Sequence, residues 1–168
     1  MKYCARTFSI FLFISFISAQ TYVPDDNFEQ ALIDLGYDDV LDDYVVTDSI
    51  NTVTTLNVEN DSISDLTGIE GFTALTNLNC SYNQLTSLDM SSNTALTEMN
   101  CARNDLTSLD VSSNTALTEL NCHSNQLTSL DVSNNTALTE MNCAINDLTS
   151  LDVSSNTALT DLRCYSNN

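Results

Sequence analysis

Apolar residues recur along most of this chain with a period of 21 residues. From residue 75 onward the frame is L-T-x-L-x-C-x-x-N-x-L-T-S-L-D-V-S-x-N-T-A, with Met at some aliphatic positions. The cysteines that mark the period are Cys80, Cys101, Cys122, Cys143 and Cys164. Because one such repeat can bury its apolar face only against its neighbours, the period predicts a solenoid of stacked coils.

Each repeat divides into a 10-residue half and an 11-residue half, such as 117–126 and 127–137. In each half a Leu and a Cys or Val are separated by one residue, which places both side chains on one face of an extended segment. The pattern therefore predicts two short extended segments on opposite walls of each coil. Coils stacked as parallel strands lie about 4.8 Å apart, and each buried Leu contributes about 1.5–3 kcal/mol.

A helical pattern precedes the repeats in residues 23–39. Asp25 or Asp26 can accept hydrogen bonds from the first-turn amides, and Gly36 suits the helix end. The apolar residues that share one face are Phe28, Leu32 and Leu35. We expect this helix to cover the open edge of the first coil.

The motif L-x-x-L-x-C-x-x-N-x-L resembles the leucine-rich repeat, with Cys at the third aliphatic position. The nested 10-plus-11 form resembles a bacterial subclass whose second half reads L-x-x-L-D-L. Ahead of it, VTTLNVENDSISDLTGIEGF (53–72) is similar to an internalin-type repeat, except that Asp61 stands where the turn Asn is expected, so a looser first turn is expected.

This resemblance covers residues 53–168 and implies a leucine-rich repeat solenoid of stacked 21-residue coils with short parallel strands. Residues 20–52 would then form an N-terminal helical cap. The sequence stops half-way through a repeat, with no covering segment, so we expect the solenoid to be truncated and the chain to be part of a longer one.

The first residues, MKYCARTFSIFLFISFISAQ, have the pattern of a secretory signal peptide, predicted at residues 1–19. Their apolar run is about half of the roughly 20 residues that span a bilayer. The mature chain is therefore expected to be secreted or at the cell surface, without a membrane span. With the repeats, this leader resembles secreted proteins of the Bacteroidetes, which often end in a C-terminal sorting domain.

The full sequence carries a net charge of −19. Without the leader, 23 acidic residues face two basic ones, Arg103 and Arg163, which gives −21. Such a chain repels nucleic acid and anionic lipid, so neither is expected as a partner.

The cysteines and asparagines could serve chemistry or structure. Because each coil contributes one Cys, the thiols lie in a line and cannot converge on a metal ion. The distance of about 4.8 Å between cysteines of neighbouring coils fits poorly with the Cβ separation of about 3.8 Å in a relaxed disulfide. We therefore expect buried free thiols.

The asparagines are expected to satisfy turn backbone groups and to link the coils. They are Asn83, Asn104, Asn125, Asn146 and Asn167, and Asn93, Asn114, Asn135 and Asn156. The resemblance implies the same role.

An aspartate column is the one weak candidate for metal binding. Its members are Asp89, Asp110, Asp131 and Asp152. Stacked carboxylates repel one another, and either water and salt or bound Ca²⁺ could relieve that repulsion. No acidic ligand loop of a calcium-binding type is present, so neither a metal nor another cofactor is expected.

Catalytic motifs are absent from the sequence. His123 is the only histidine, and no nucleophile motif, glycine-rich phosphate loop or clustered acid pair interrupts the frame. The sequence therefore predicts a protein that is not an enzyme.

The positions that vary between repeats follow each Cys and are the candidates for ligand binding, with Arg163 beside them. They are Tyr82, Arg103, His123, Ile145, Arg163 and Tyr165. Their mixed character suits a binding or adhesion surface for a protein or a glycan. Drift at unconstrained positions explains the variation equally well, and the near-identity of 96–116 and 138–158 favours it. The alternative function is a passive spacer or stalk that displays another domain.

Overall fold

The computed structural model describes residues 18–168. The predicted signal peptide falls almost entirely on residues 1–17, outside the described part. The first described elements are strand β1 (Gln20–Tyr22), helix α1 (Asp26–Asp34), strand β2 (Tyr44–Val46) and the short helix α2 (Thr47–Ile50). β1 and β2 pair in an antiparallel fashion, a small sheet that the sequence pattern did not predict.

The repeats form one parallel sheet of six short strands, which follow one another in chain order. The strands are β3 (Thr55–Asn57), β4 (Asn77–Asn79), β5 (Glu98–Asn100), β6 (Glu119–Asn121), β7 (Glu140–Asn142) and β8 (Asp161–Arg163). A single 3₁₀ turn, Ile69–Gly71, lies between β3 and β4. Leu56 pairs with Leu78, 22 residues on, and each later strand pairs 21 residues on, which confirms the predicted solenoid of stacked coils.

The core is the inside of the stack. In the coil at 117–137 the four leucines and the Cys and Val between them are buried. They are Leu117, Leu120, Cys122, Leu127, Leu130 and Val132. The same positions are buried in the coil before, and in the coil after they are buried except Leu151 and Val153, which are half-buried, so the apolar residues form continuous columns along the solenoid.

The second wall of the solenoid differs from the prediction. Within residues 18–168 its extended segments make no ladder beyond one parallel bridge, between Asp89 and Asp110. The reason is local, because Asp89 Oδ1 accepts the Ser91 N–H at 2.9 Å and bends the backbone straight after the bridge. The carbonyl group of the next residue, Met90, accepts a hydrogen bond from a side chain and not from a neighbouring strand: Asn114 Nδ2 donates to it at 3.0 Å.

The capping helix α1 begins where the sequence predicted. Asp25 is its N-cap and accepts from the backbone N–H groups of Asn27 and Phe28, both at 3.0 Å. Phe28 and Leu32 are buried, but the prediction for Leu35 was wrong: it is 46% exposed. The helix has already ended there, because Leu35 is its C-cap residue.

Asp25 also fastens the cap to the first coil. Its Oδ2 accepts from the Ser64 backbone N–H at 2.9 Å, from the Ser64 hydroxyl at 2.7 Å and from the Asp65 N–H at 3.0 Å. Burial raises the pKa of this carboxyl, but the hydrogen bonds from Ser64, Phe28 and Asp65 together lower it below its usual value. One side chain thus satisfies a helix end and a turn 39 residues away.

The buried asparagines join successive coils. Asn104 Nδ2 donates to the carbonyl groups of Cys80, in the coil before, and Cys101, in its own coil, both at 3.0 Å. Its Oδ1 accepts the Leu85 N–H at 3.0 Å. The same three bonds recur at Asn125 and Asn146. We call this set the asparagine ladder: Asn83, Asn104, Asn125, Asn146 and Asn167.

The first rung is irregular because of Asp61. Asn83 Oδ1 accepts from the backbone N–H groups of Asp61 at 3.2 Å and Ile63 at 2.9 Å. Asp61 itself is exposed. The ladder therefore starts at Asn83, whose side chain secures the turn of the coil before it by binding backbone groups.

We predict that Asn125→Ala destabilises the solenoid strongly. The change leaves the Leu106 N–H buried without a partner. It also removes one of two amide donors from the carbonyl groups of Cys101 and Cys122, which keep Asn104 and Asn146. An unpaired buried group costs about 1–3 kcal/mol and a lost hydrogen bond about 0.5–1.5 kcal/mol, so we expect a loss of about 3 kcal/mol in the free energy of unfolding. Chemical denaturation measures it. Asn134→Ala, an exposed residue of the same coil, is the control and should change stability little.

We predict that Asp25→Ala lowers the free energy of unfolding by roughly 3 kcal/mol, because a helix cap and the ties to the first coil are lost together. Asp26→Ala, an exposed first-turn acid, is the control. Since the folded pKa of Asp25 lies below its unfolded value of about 3.9, its contribution is complete above about pH 4 and disappears as the pH falls through the folded value. Equal effects of the two variants at pH 7 would contradict the assignment.

Candidate ligand-binding groove on the strand face

The outer face of the parallel sheet carries two columns of polar side chains. In β5, β6 and β7 the middle residue points into the core, so the first and third residues point outward. Together they line an open groove of about 480 Å³ that runs from Thr55 to Arg163. We call it the strand groove. Its first column is Glu98, Glu119, Glu140 and Asp161, and its second is Asn79, Asn100, Asn121 and Asn142.

The first column is a row of like charges. Glu98, Glu119 and Glu140 pair in register across β5, β6 and β7. Partial burial raises the pKa of Glu119, and repulsion by Glu98 and Glu140 raises it further. A positive group placed in the groove would relieve this repulsion.

The second column supplies hydrogen-bond donors. The Oδ1 atoms of Asn100, Asn121 and Asn142 each accept the backbone N–H two residues on, at 3.2 Å, which fixes their orientation. Their Nδ2 groups have no hydrogen-bond partner among residues 18–168. The strand groove therefore presents a row of oriented amide donors beside a row of carboxylate acceptors.

Arg163 is the one sequence candidate that lies in the strand groove. It occupies the third position of β8, where the preceding strands carry Asn, and its guanidinium pairs with Asp161 at 2.8 Å. It gives one end of an otherwise acidic groove a positive group. This pair is exposed, so it contributes little to stability.

The other candidates lie at the turn after the strands and form two columns. Tyr82, Arg103 and Ile145 share one position, where the backbone has φ between 55° and 58°. Arg103 stacks over the Tyr82 ring, with Cζ 5.0 Å from the ring centroid. His123 and Tyr165 belong to the position before, and the His123 ring meets the Ser124 hydroxyl at 2.9 Å.

The aspartate column faces solvent on the second wall. Asp89, Asp110, Asp131 and Asp152 each accept the N–H of the Ser two residues on, at 2.9 Å. Hydrogen bonds from these serines hold the pKa of each carboxyl below its usual value. In the part of the chain that the structure describes, no three His, Cys, Asp or Glu side chains are placed to hold a metal ion.

The cysteine column lies inside the solenoid. Between residues 18 and 168 all five cysteines are free, and only Cys164 is exposed. Burial raises the pKa of the Cys80 thiol to about 12 and that of Cys143 to about 11. A thiol with so high a pKa is not a nucleophile at neutral pH, so these residues pack as small apolar side chains.

Sequence reasoning missed the strand groove, although its signal was present. In the frame L-T-x-L-x-C the two x positions alternate with buried residues, so both must face outward. Glu and Asn recur at these two positions almost unchanged, as in 96–116 and 138–158. For that reason they resemble the residues that the repeat needs for its fold, and not residues of a binding site. The variable residues after each Cys are the more conspicuous signal in the sequence, but they lie beyond the strand ends.

No helix among residues 18–168 combines the length and the apolar character needed to cross a membrane.

Comparison with other proteins places the chain beside the internalins. No family model matches the sequence. Internalin J of Listeria monocytogenes is 47% identical over 76 residues, which are 45% of this chain and 8% of that protein. The structure of its functional domain, which includes a cysteine ladder, has 34% identity and a TM-score of 0.65, and covers 90% of this chain and 44% of that one.

A second internalin structure, InlF of the same species, has 25% identity and a TM-score of 0.79. The match covers 87% of this chain and 44% of that one. The chain therefore has the leucine-rich repeat fold of the internalins, and it spans less than half the length of each of these two structures.

We predict that the core thiols resist alkylation while the protein is folded. At pH 8, Cys80, Cys101 and Cys122 should react with iodoacetamide about a hundredfold more slowly than in the denatured protein, because reaction requires local opening. Site-resolved mass spectrometry measures each rate. Rapid native labelling, or labelling of the denatured protein only after a reductant is added, would contradict the free, buried assignment.

Proposed function

We propose that this leucine-rich repeat chain is a non-enzymatic binding module that holds a protein partner along the strand groove, outside the cell or on its surface. The observation that carries the proposal is the pair of columns in the groove: stacked carboxylates beside oriented amide donors. Groups repeated in register along parallel strands suit an extended ligand. Leucine-rich repeats also generally use this face for ligands.

The charge of the groove favours one class of partner. Three glutamates and an aspartate face outward in adjacent strands, and the pKa of Glu119 is raised by its acidic neighbours. Because a cationic group would relieve this repulsion and be steered by the acidic surface, we infer a partner that presents Lys or Arg. A glycan partner would depend mainly on the amide column.

The turn residues are secondary contacts in this proposal. Tyr82 and Arg103 follow β4 and β5 by three residues and already stack on one another, so they form a small rigid surface beyond the strand ends. Ile145 is exposed two coils further along the same column. These side chains would add specificity to a partner that the groove holds by charge.

We predict that the variant Glu98→Gln, Glu119→Gln, Glu140→Gln weakens binding of a Lys-rich extended peptide by about tenfold or more, because three matched charges are lost. Fluorescence anisotropy measures the affinity. Binding to the unaltered protein should also weaken as salt rises from about 0.1 M to about 0.5 M.

The matched control removes three charges from the second wall: Asp110→Asn, Asp131→Asn, Asp152→Asn. It should bind the peptide nearly as well as the unaltered protein. If both triple variants weaken binding equally, only the net charge matters and the groove is not the site. If neither has an effect, and deletion of residues 96–116 shortens the molecule without loss of function, the chain acts as a spacer.

A further inference from the structure

The open polar groups of the strand groove are confined to its three middle coils. The outward positions of β5, β6 and β7 carry the same two side chains, first Glu and then Asn. Among residues 18–168 no ion pair or hydrogen bond engages the three carboxylates, and none engages the three amide Nδ2 groups. We call this set the open footprint: Glu98, Glu119 and Glu140, with Asn100, Asn121 and Asn142.

The strands on either side are closed by contacts within the chain. In β4, Asn77 stands where the later strands carry an acid, and Asn79 Nδ2 donates to Glu59 Oε2 at 3.0 Å. In β8, Asp161 pairs with Arg163 at 2.8 Å. The open footprint therefore ends at β5 and β7, and these two strands lie about 9.6 Å apart, which is two coil steps of about 4.8 Å.

A ligand that uses both columns of the open footprint must run along the axis of the solenoid. Each strand offers only two outward side chains, so a ligand chain that lies parallel to the strands leaves the footprint after about 6.6 Å. A chain that crosses the strands meets a carboxylate on one side and an amide on the other at every coil. Such a ligand needs groups that repeat at about 4.8 Å or about 9.6 Å.

The amide column selects the backbone conformation of the ligand. Amide donors need free carbonyl groups, and those of an α-helix are occupied by its own hydrogen bonds. An extended strand has free carbonyl groups, but on one side they recur about every 6.7 Å, which matches neither one coil step nor two. A polyproline II helix has no internal hydrogen bonds, and the same face recurs about every 9.3 Å. That repeat differs from two coil steps by only about 0.3 Å.

The carboxylate column agrees with this choice. A Lys or Arg at every third residue of a polyproline II helix lies on one face, so two successive cations reach Glu98 and Glu140 and pass over Glu119. The alternative register would use Glu119 and Asp161, but Asp161 already pairs with Arg163. No aromatic side chain lines the groove, so the ligand is held through its carbonyl groups and cations and not by stacking.

We propose that the open footprint binds a segment of a partner protein in the polyproline II conformation, with Lys or Arg at every third residue, laid along the solenoid axis across β5, β6 and β7. This inference rests on the proposed function, in which the strand groove holds a protein that presents Lys or Arg. A segment that already favours this conformation loses little conformational entropy when it binds.

The test uses the full native protein and labelled peptides, with affinity measured by fluorescence anisotropy. The first peptide repeats Lys-Pro-Pro. The second has the same length and composition, but its lysines are adjacent in pairs, so that no two lie three residues apart. We expect the first peptide to bind about tenfold more tightly, a difference that net charge does not produce. Peptides with as many lysines that form a strand or an α-helix should bind as weakly as the second.

Single variants of the carboxylate column test the alternate spacing. Glu98→Gln and Glu140→Gln each remove a charge that the ligand contacts, and each should weaken binding of the Lys-Pro-Pro peptide about fivefold. Glu119→Gln is the matched control, because it occupies the same position of the strand between them. It should bind within about twofold of the unaltered protein. Attraction by charge alone predicts the opposite order, since the central carboxylate lies closest to all the cations.

A triple variant tests the amide column: Asn100→Ser, Asn121→Ser, Asn142→Ser. The Ser hydroxyl can still accept the backbone N–H two residues on, so the local turn is kept. Because the amide donors are lost, this variant should bind the Lys-Pro-Pro peptide more weakly and the paired-lysine peptide as before. Equal binding of the Lys-Pro-Pro peptide by the variant and the unaltered protein would contradict the carbonyl contacts.

Two further results would overturn the proposal and leave the proposed function standing. One is equal affinity for all four peptides, each still dependent on the three glutamates of the open footprint. The other is a larger loss in Glu119→Gln than in Glu98→Gln or Glu140→Gln. If no peptide binds in a manner that depends on the strand groove, the proposed function is wrong and this inference is wrong with it.

Discussion

The asparagine ladder is the interaction on which the rest of the structure depends. Each coil has only three residues in a strand, too few for backbone pairing alone to close a 21-residue turn. The side-chain amide of Asn104 supplies what is missing, because it binds carbonyl groups in two coils and the Leu85 N–H. Repetition of these bonds lets the chain turn through the interior while these buried backbone groups stay paired.

The difference between the two walls explains where a ligand can lie. One wall has a continuous sheet, so its outward side chains stand in register and make columns of a single chemistry. On the other wall Asp89 and Ser91 turn the backbone away after one bridge, and the aspartates there are tied to their own turns. A groove of matched groups can therefore form only on the strand side.

The cap covers the exposed edge of the first coil by contacts that differ from those of the asparagine ladder. Asp25 closes both the helix end and the first turn, and its hydrogen bonds outweigh the cost of burial. Glu29 fastens the loop that follows α1, because its Oε1 accepts the backbone N–H groups of Asp42 and Tyr44.

The spacing of residues along the chain is enough to predict the period, the inward columns and the beginning of the cap helix. It could equally have revealed the outward Glu and Asn columns, since alternation along a strand is local. The lack of a ladder on one wall, the exposure of Leu35 and the contacts of Glu29 with the backbone of residues 42–44 follow from the tertiary structure. Those outcomes depend on which groups, distant in sequence, bind the same hydrogen-bonding partner, as when Asp25 binds Ser64. The spacing of residues along the chain does not show which of these groups will meet.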